Sequence, residues 1–529
     1  MKIIEQHEVA GLIKDGANVA ASGFATSILA DHIIRGIEKS FLETGHPRDL
    51  ELTTISCIGD KTPGEGMDRF AHRGLLRGLR TSHINMCPLL QKAVTDGDIY
   101  CHIYTFGALV QLMRDMGSGK PGTITDVGIG TFIDPRLEGG RANRKTKEDV
   151  AEVMDIGGSE YLFFPSFGLD VAILRGTTMD MKGNVTMEDE VTYMDILEVA
   201  QAVKRNGGIV IVQVKNLVAA GELDPRSVQL PGIMVDYAVV APARHHMQTM
   251  ASPMNEDFTQ RKHVLLVDLL AKVAPMSERL AIARRAAMEL RKGDTINLGM
   301  GVPEWVGDVA VQEGFFEELT MTLECGHIGG LPASGLNFGG CYNPEYVTHC
   351  SRQLDWYDGG GLDVGILSAA EVDRFGNTNV SKFGKIVGPG GYINIATGAK
   401  KMIFCGTLTT GGLKVGIGDG RLKILKEGSK KKYVSDVCQV TYSGMQALRR
   451  RRPVTYITER CVLEMRRDVT PEDVLAGEPL LELTEVAPGI DVKTQVLDQI
   501  GFEVKVSPQL KKMDPRIFTD EPMGYELPL

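Results

Sequence analysis

The stretch LTMTLECGHIGG, residues 319–330, brings a carboxylate to the end of an apolar strand pattern. Met321 and Leu323 alternate with threonines, as residues of a β-strand do, and Glu324 follows before a glycine-rich segment. Ligands of open α/β sheets bind at the carboxyl ends of strands. A carboxylate there can act as a covalent nucleophile that forms an acyl-enzyme intermediate. Glu324 is therefore the first candidate catalytic residue; the alternative is a strand-end glutamate in water.

Two glycine turns could complement such a carboxylate. GMGV at 299–302 follows the strand TINL, and GPGGY at 388–392 precedes another short apolar run. Glycine lets backbone amides approach a ligand closely, and such amides can hold phosphates or a developing oxyanion. The alternative for each is an ordinary tight turn. The chain contains neither GxxxxGK[ST] nor a complete GxGxxG with its acidic partner, so the pattern favours neither ATP nor NAD.

Two further groups of residues could do other chemistry. Cys325 and His327 are separated by one residue on an extended segment, so their side chains point to the same face. A catalytic thiol–imidazole pair therefore stays an alternative, although no third group that would orient the imidazole is identifiable. The pair His245-His246 has no companions at ligand spacing, so no metal site is predicted.

The bulk properties limit the class of protein. With 529 residues the chain is longer than one hydrophobic core usually spans, so two domains are expected. A formal net charge of −10 argues against nucleic acid or an anionic membrane as the partner. The N-terminus lacks the apolar block of a secretory signal, and runs such as IVIVQV are too short to cross a bilayer. Nine cysteines without CxxC spacing indicate reduced thiols, and hence a cytoplasmic protein.

The elements that would position the candidate residues occur twice. Residues 9–34 and the segment from Arg285 both read as helix, glycine stop, short strand, glycine-containing turn and second helix, so that the SGFA turn at 22–25 matches the GMGV turn. DVAILRGTTMDMKGNVTM at 170–187 aligns without gaps with DVGILSAAEVDRFGNTNV at 363–380. Short apolar runs between helical patterns indicate an α/β fold with mainly parallel sheets. Two matches in the same order predict duplicated domains.

The predicted repeat is asymmetric where Glu324 lies. On this alignment the strand LELTTIS at 50–56 matches LTMTLE, and Ser56 stands where Glu324 stands. Only the second half therefore carries the carboxylate, as expected if one copy of a duplicated domain became specialised.

The domain boundaries follow from the repeat. We predict an N-terminal domain over residues 1–242, a linker over 243–276, and a C-terminal domain over 277–529 that carries the catalytic glutamate. A helix should begin near Ser277. The Asp419-Gly420 turn between alternating residues predicts a hairpin, and thus a small antiparallel addition to the second domain.

The chain resembles the family I CoA-transferases, specifically the fused short-chain type represented by propionate and acetate CoA-transferases. The resemblance covers nearly the whole chain. It implies the CoA-transferase fold: two homologous open α/β domains with mainly parallel sheets. The motifs that carry it are SGFATS (22–27), VGIGTFIDPR (127–136), NLGMGVP (297–303), LECGHIGG (323–330), DGGGLDV (358–364), NVSKFG (379–384), GPGGYINI (388–395), FCGTLTTGGL (404–413), YITERCV (456–462) and EVAPGID (485–491).

The resemblance implies a role for each candidate segment. The family's Glu-x-Gly element is here Glu324-Cys325-Gly326, whose glutamate attacks the acyl-CoA thioester; a glutamyl-CoA thioester then forms and is resolved by an incoming acid in a ping-pong cycle. The SGFATS turn would face Glu324 across the domain interface. The implied oxyanion-hole amides are those of Phe24 and Ala25, and the implied CoA-binding residues are Gly299, Met300, Gly301, Val302, Gly390 and Gly391.

The resemblance also implies the partners. Acyl-CoA and a short-chain acid such as acetate, propionate or butyrate would be substrates, with no metal and no tightly bound cofactor. Neither nucleic acid nor a membrane is an expected partner, and a homo-oligomer, either tetramer or dimer, is expected. Two alternatives stay open: an acyl-CoA thioesterase on the same scaffold, and a non-catalytic metabolite sensor, which would not need a glutamate in one half only.

Overall fold

The computed structural model describes residues 1–265 and 275–529. The chain divides into two compact units. The first contains residues 1–263, 323–356 and 383–394, and the second contains 264–322, 357–382 and 395–529. Glu324 thus belongs to the first unit, although it directly follows a strand that lies almost wholly in the second.

The strands of the main sheet of the first unit are β1 (Lys2–Ile3), β2 (Asn18–Ala21), β3 (Leu50–Thr53), β4 (Leu76–Thr81), β5 (Tyr100–Ile103), β6 (Val171–Arg175), β7 (Ile209–Val214) and β8 (Tyr237–Val240). The sheet is parallel throughout, in the order β1-β8-β7-β6-β2-β3-β4-β5. Its central strands are buried on both faces, which explains why they read as continuous apolar runs such as IVIVQV.

The main-sheet strands of the second unit are β9 (Thr295–Leu298), β10 (Thr320–Leu323), β11 (Val364–Ser368), β12 (Lys401–Cys405), β13 (Val454–Ile457), β14 (Cys461–Met465), β15 (Leu481–Val486) and β16 (Lys505–Lys512). These strands lie in the order β10-β9-β11-β12-β13-β14-β15-β16. They are parallel from β10 to β13, whereas β13, β14 and β15 pair antiparallel.

The helices begin and end where local chemistry favours it. Thr105 and Ser277 cap two N-termini by accepting a hydrogen bond from a backbone amide, and Gly45 and Gly97 end two helices in the left-handed conformation. The helix predicted near Ser277 is thereby confirmed. The α-helices are Asp31–Thr44, Pro88–Asp96, Phe106–Gly117, Ile196–Arg205, Glu278–Ala287, Glu304–Gln312, Cys350–Asp358, Tyr392–Gly398, Gly444–Arg449, Pro471–Leu475 and Val492–Gln495.

Small sheets and hairpins, mainly antiparallel, lie outside the main sheets of both units. The predicted hairpin around Asp419-Gly420 is confirmed: Lys414–Gly418 pairs with Arg421–Lys426, and both turn residues have positive φ. The other short strands are Gly122–Thr125, Glu152–Ile156, Ser159–Pro165, Thr178–Asp180, Val185–Thr186, Asn216–Val218, Val228–Leu230, His327–Ile328, Leu331–Pro332, Cys341–Tyr342, Tyr346–Val347, Glu371–Val372, Thr378–Asn379, Lys382–Phe383, Lys385–Ile386, Thr409–Thr410 and Lys430–Lys431.

The internal repeat is confirmed at the level of single hydrogen bonds. In the first half the amide of Asn18 donates to the carboxylate of Asp170 over 2.8 Å. In the second half the amide of Thr295 donates to Asp363 over 2.9 Å. Because both bonds join the start of one central strand to the residue before its parallel neighbour, the central strands of the two halves are arranged in the same way.

The sheet register corrects the predicted equivalent of Glu324. Asn18 lies opposite Glu51 in the first sheet, and Thr295 lies opposite Thr320 in the second. Counting on from these pairs places Ile55, rather than Ser56, at the position of Glu324. The prediction was wrong by one residue because LELTTIS is one residue longer than LTMTLE, and the ends of the two segments were matched instead of their starts. The first half still lacks a carboxylate at this position.

The first part of the predicted linker is packed into the first unit. Residues 243–263 belong to that unit, and Phe258 is buried beside Val191 and Ala333. Residues 266–274 of the linker lie outside the described residues. The predicted boundaries at 242 and 277 stay a prediction, since they follow the sequence repeat and not the division into compact units.

Candidate functional site

Glu324 lies in a tight turn immediately after β10. The side chain is buried, with 8% of its surface exposed. The amide of Gly326 donates to the carbonyl of Leu323 over 3.0 Å and closes the turn. Gly326 has φ of +121°, and a Cβ there would fall 2.0 Å from the carbonyl oxygen of Thr348. The Glu-x-Gly spacing therefore has a local cause, because only glycine fits the turn that presents Glu324.

The GPGGY turn lies against the Glu324 side chain. The amide of Gly390 donates to the carbonyl of Ser82 over 3.1 Å, which holds the turn on the first unit. A Cβ at Gly391 would lie 3.0 Å from Cγ and 3.1 Å from Oε1 of Glu324. The predicted CoA-binding glycine 391 is thus brought next to the candidate nucleophile.

We expect Gly391→Ala to lower kcat/KM of CoA transfer on the order of 10-fold, because a 1 Å misplacement of a reacting group costs about 10²-fold. The added methyl group displaces Glu324 by a few tenths of an ångström, while the backbone at 391 is not in the left-handed region. Gly11→Ala is the matched control, since a Cβ there has no neighbour within 4 Å among the described residues. Steady-state kinetics and the melting temperature are the measurements. Equal activity of both variants would contradict the assignment of Gly391 to the site.

The SGFATS turn is compact and strained. The amide of Phe24 donates to the carbonyl of Ser27 over 3.1 Å, and the amide of Ser27 donates back over 2.7 Å. Ala25 has φ of 42° and Ile28 has φ of 62°, conformations that non-glycine residues rarely adopt and that cluster at functional sites. Of the two predicted oxyanion donors, Phe24 is thus engaged within the turn. The amide of Ala25 makes no backbone hydrogen bond to a residue of the described chain.

Residues 338 and 339 join this turn to the segment of Glu324. Thr26 donates through Oγ1 to the carbonyl of Phe338 over 2.8 Å. A Cβ at Gly339 would lie 3.0 Å from the ring of Phe24, and the Cys325 thiol lies 3.7 Å from the carbonyl oxygen of Gly339. The predicted oxyanion turn and Cys325, the residue after the predicted nucleophile, therefore both contact Gly339 within one compact unit.

The segment 190–195 supports the site and was missed by sequence reasoning. Thr192 donates through Oγ1 to the carbonyl of Cys325, and Ser22 donates to Asp195 Oδ1 over 2.5 Å. Burial raises the pKa of Asp195 to about 7. Met194 between them has φ of 49°. One segment thus holds both the turn at 22–27 and the turn at 324–326.

The sequence signal at Asp195 suggests a helix cap and not a link to another turn. Asp195 precedes the helix Ile196–Arg205 and would be assigned as its N-cap. The side chain makes no capping hydrogen bond and accepts from Ser22 instead. An Asp at a cap position that does not cap its helix becomes visible only in the structure.

The thiol–imidazole alternative is not supported by the environment of the two residues. Cys325 Sγ lies 3.5 Å from His327 Nδ1, and His327 Nε2 donates to the carbonyl of Val191 over 2.8 Å. Burial raises the pKa of the Cys325 thiol well above its usual value and lowers the pKa of His327 to about 4. The pair is therefore a neutral thiol beside a neutral imidazole, whereas the thiolate is the nucleophilic form of cysteine.

We expect Cys325→Ala to keep transferase activity within about 3-fold of the wild type, because a protonated, buried thiol behaves as a small apolar side chain. Initial rates with acyl-CoA and a carboxylate acceptor measure this. If Cys325→Ala lost as much activity as Glu324→Gln, Cys325 could no longer be excluded as the nucleophile.

The GMGV turn belongs to the second unit, at the carboxyl end of β9. Ser368 donates through Oγ to the carbonyl of Met300 over 3.0 Å, and Gly301 has φ of +95°. A Cβ at Gly299 would fall 2.8 Å from the side chain of Leu367. The turn is thus fixed at the sheet edge where ligands of α/β folds bind, with Met300 half exposed. The CoA-binding roles of residues 299–302 and 390–391 stay predictions.

The predicted linker histidines contact other groups. His245 Nδ1 lies 2.9 Å from His32 Nδ1, and His246 Nε2 lies 3.2 Å from Glu190 Oε1. Across residues 1–265 and 275–529, no three His, Cys, Asp or Glu side chains are grouped so as to hold a metal ion. Nor does any helix within these ranges have the length and apolar character needed to span a membrane.

Comparisons with known proteins agree with the fold and the motifs. A sequence model of the family described as Coenzyme A transferase matches residues 4–241. Caffeate CoA-transferase of Acetobacterium woodii is 41% identical over 534 residues, covering 99% of this chain and 99% of that protein. Acetate CoA-transferase YdiF of Escherichia coli strain K12 is 39% identical over 532 residues, covering 99% of this chain and 97% of that protein.

A solved structure agrees equally well. The acyl-CoA transferase YdiF from E. coli O157:H7, crystallised as a thioester complex with CoA, superposes with a TM-score of 0.90 at 38% identity and covers 100% of this chain and 98% of that chain. With full-length relatives at this identity, the chain belongs to the coenzyme A transferase family and is an enzyme that transfers CoA.

Proposed function

We propose that the protein is a short-chain acyl-CoA:carboxylate CoA-transferase that works through a covalent glutamyl-CoA thioester at Glu324. The observation that carries the proposal is the burial of Glu324 in a glycine-dependent turn, pressed against Gly391. The asymmetry of the repeat supports it, since the equivalent position of the first half is the apolar Ile55. A fold that needed a carboxylate here for stability would need one in both halves.

The first half-reaction loads the enzyme. A carboxylate oxygen of Glu324 attacks the thioester carbonyl of acyl-CoA and forms a mixed anhydride with release of the CoA thiolate. The thiolate then attacks the glutamyl carbonyl, which gives glutamyl-CoA and the free acid. The amide of Ala25 is the proposed donor to the developing oxyanion; removing one such donor costs about 10²–10³-fold in known cases.

The second half-reaction runs in reverse with a new acid. The incoming carboxylate attacks glutamyl-CoA, and the CoA thiolate returns to the acyl group. One thioester replaces another, so the exchange needs no ATP. Because anhydride and glutamyl-CoA are both hydrolysed by water, the site must exclude solvent, and burial of Glu324 meets that requirement. Exclusion of water also strengthens the oxyanion contact.

The proposed acyl group is of the acetate, propionate or butyrate class. The two relatives are named for different acids: one is an acetate CoA-transferase and the other is a caffeate CoA-transferase. CoA acts as a substrate, and we propose that no tightly bound cofactor takes part. A homo-oligomer in the cytoplasm, with no nucleic-acid or membrane partner, completes the proposal.

The test is a comparison of two fates of acetyl-CoA. We expect CoA to pass to propionate or butyrate much faster than free CoA appears in water, with parallel double-reciprocal plots as in a ping-pong cycle. Caffeate serves as the competing acceptor. CoA release that is independent of the added acid would indicate a thioesterase, and preferential transfer to caffeate would contradict the short-chain assignment.

A further inference from the structure

A cavity of about 120 Å³ opens beside the SGFATS turn, wholly within the first unit. Thr26 and Ser27 of that turn line it, together with residues of the segment 244–250. That segment is tied to the turn, because the amide of Met250 donates to the carbonyl of Thr26 over 2.7 Å. A molecule in the cavity would therefore contact the turn whose Ala25 amide is the proposed oxyanion donor.

A buried arginine with a spare donor lines the cavity. Arg175 is 2% exposed and stands at the end of β6. Its Nε donates to Glu190 over 3.0 Å, and its Nη1 donates to the carbonyls of Leu29 and Met247. No hydrogen bond joins Nη2 to any residue in the described ranges. Nη2 is accessible, since it is not among the described atoms that are both buried and without a hydrogen-bond partner; because Arg175 lines the cavity, this nitrogen can donate to a molecule bound there.

Another arginine at the cavity, Arg244, differs from Arg175 in having no acidic partner among the described residues. Arg244 is exposed and forms no ion pair with a residue of the described chain. The third lining arginine, Arg35, differs: its guanidinium lies 2.6 Å from Asp31 and 3.2 Å from Glu65. The two carboxylates at the cavity are thus already paired with an arginine. Arg175, whose Nε is paired with Glu190, keeps Nη2 as a donor, and Arg244 keeps its charge for an anion.

The rest of the lining limits the size and character of that anion. Leu29, Met247 and Met250 supply apolar surface. The cavity volume of about 120 Å³ suits an acid of a few heavy atoms. Arginine is the residue best suited to carboxylate recognition. An anionic head beside an apolar wall matches a short-chain carboxylate better than inorganic phosphate.

We propose that this cavity is a holding site for the short-chain carboxylate acceptor, separate from Glu324. The carboxylate is bound by Arg175 and Arg244, and the alkyl chain contacts Leu29, Met247 and Met250. The identity of the bound acid as the acceptor rests on the proposed function. Binding itself does not, since it depends only on the two arginines and the apolar wall.

The kinetic test is Arg244→Gln, which removes an exposed charge without breaking an ion pair among the described residues. We expect KM for propionate to rise about 10-fold, as for loss of one charge-assisted hydrogen bond, with kcat and KM for acetyl-CoA unchanged. Arg226→Gln is the matched control, since Arg226 is also exposed and also lacks a side-chain partner in the described chain. An unchanged KM for propionate, or an equal rise in both KM values, would overturn the proposal.

Equilibrium dialysis with radiolabelled propionate separates binding from catalysis. In a Glu324→Ala background we expect saturable binding that Arg244→Gln weakens about 10-fold and Arg226→Gln leaves unchanged. Equal binding by the three proteins would overturn the cavity as a site. Displacement of propionate by equimolar inorganic phosphate would overturn the carboxylate assignment. Failure of the proposed function has a different signature: wild-type protein would transfer no CoA, while the dialysis result would be unaffected.

Discussion

Glu324→Gln is expected to abolish CoA transfer, with a fall in kcat of about 10⁴-fold or more, as for removal of a covalent nucleophile. The amide has nearly the shape of the carboxylate, so the packing against Gly391 is retained while the nucleophilic oxygen is lost. Initial rates of transfer from acetyl-CoA to propionate measure the effect. The melting temperature should change little, because the side chain serves chemistry and not the fold.

The matched control is Glu317→Gln. Glu317 is exposed on the 3₁₀ turn Phe316–Glu318, a few residues before the same strand, and its loss of charge should leave the rate within about 2-fold of the wild type. If Glu324→Gln retained a rate comparable to that of the control, Glu324 could not be the nucleophile.

Glu190→Gln is expected to lower the free energy of unfolding of the first unit by about 3–5 kcal/mol, since removal of one partner leaves a buried charge uncompensated. Glu190 and Arg175 are both buried, and Nε of Arg175 lies 3.0 Å from Oε1 of Glu190. His246 contacts the same oxygen. The midpoint of denaturant unfolding, followed by a probe in the first unit, measures the loss.

Two controls separate the charge from the shape. Glu222→Gln changes an exposed glutamate of the same unit and should leave the midpoint unchanged. Combining Glu190→Gln with Arg175→Met removes both charges, and we expect it to recover part of the stability. A double variant less stable than Glu190→Gln would show that hydrogen bonds from Arg175 to the backbone, and not the uncompensated charge, dominate.

The same ion pair predicts a pH dependence. Burial of Glu190 acts to raise its pKa, but attraction by Arg175 and the contact with His246 outweigh burial and lower the pKa below its ordinary value. The stabilisation is therefore fully present above the unfolded pKa of about 4.3 and is lost as the pH falls toward the lower folded value. Glu190→Gln should flatten the dependence of the unfolding midpoint on pH in this acidic range.

Much of the fold could be predicted from the sequence because its signals are local. The strand alternation before Glu324, the cap residue Ser277 and the Asp419-Gly420 turn each specify backbone geometry over a few residues. The gapless repeat around Asp170 and Asp363 predicted the arrangement of the central strands, because the two aspartates accept equivalent backbone hydrogen bonds. The one-residue error at Ser56 arose from matching the ends of two segments of unequal length, and the strand pairing corrects it.

The surroundings of Glu324 were harder to predict because they depend on residues distant in sequence. Nothing in GPGGY indicates that a Cβ at Gly391 would lie 3.0 Å from Cγ of a glutamate at a different strand end. The role of Thr192 likewise requires that two loops meet. The spare donor of Arg175 is likewise invisible in sequence, since a buried arginine on a central strand reads as half of an ion pair.

The most direct test of the central claim is to trap the intermediate on Glu324. Wild-type protein is incubated with acetyl-CoA without an acceptor, treated with hydroxylamine or borohydride, digested and mapped by mass spectrometry. We expect the modification on Glu324 within the peptide that spans residues 319–330, and no modification in Glu324→Gln. Modification elsewhere in the chain, or transfer that continues with the peptide unmodified, would contradict a glutamyl-CoA mechanism.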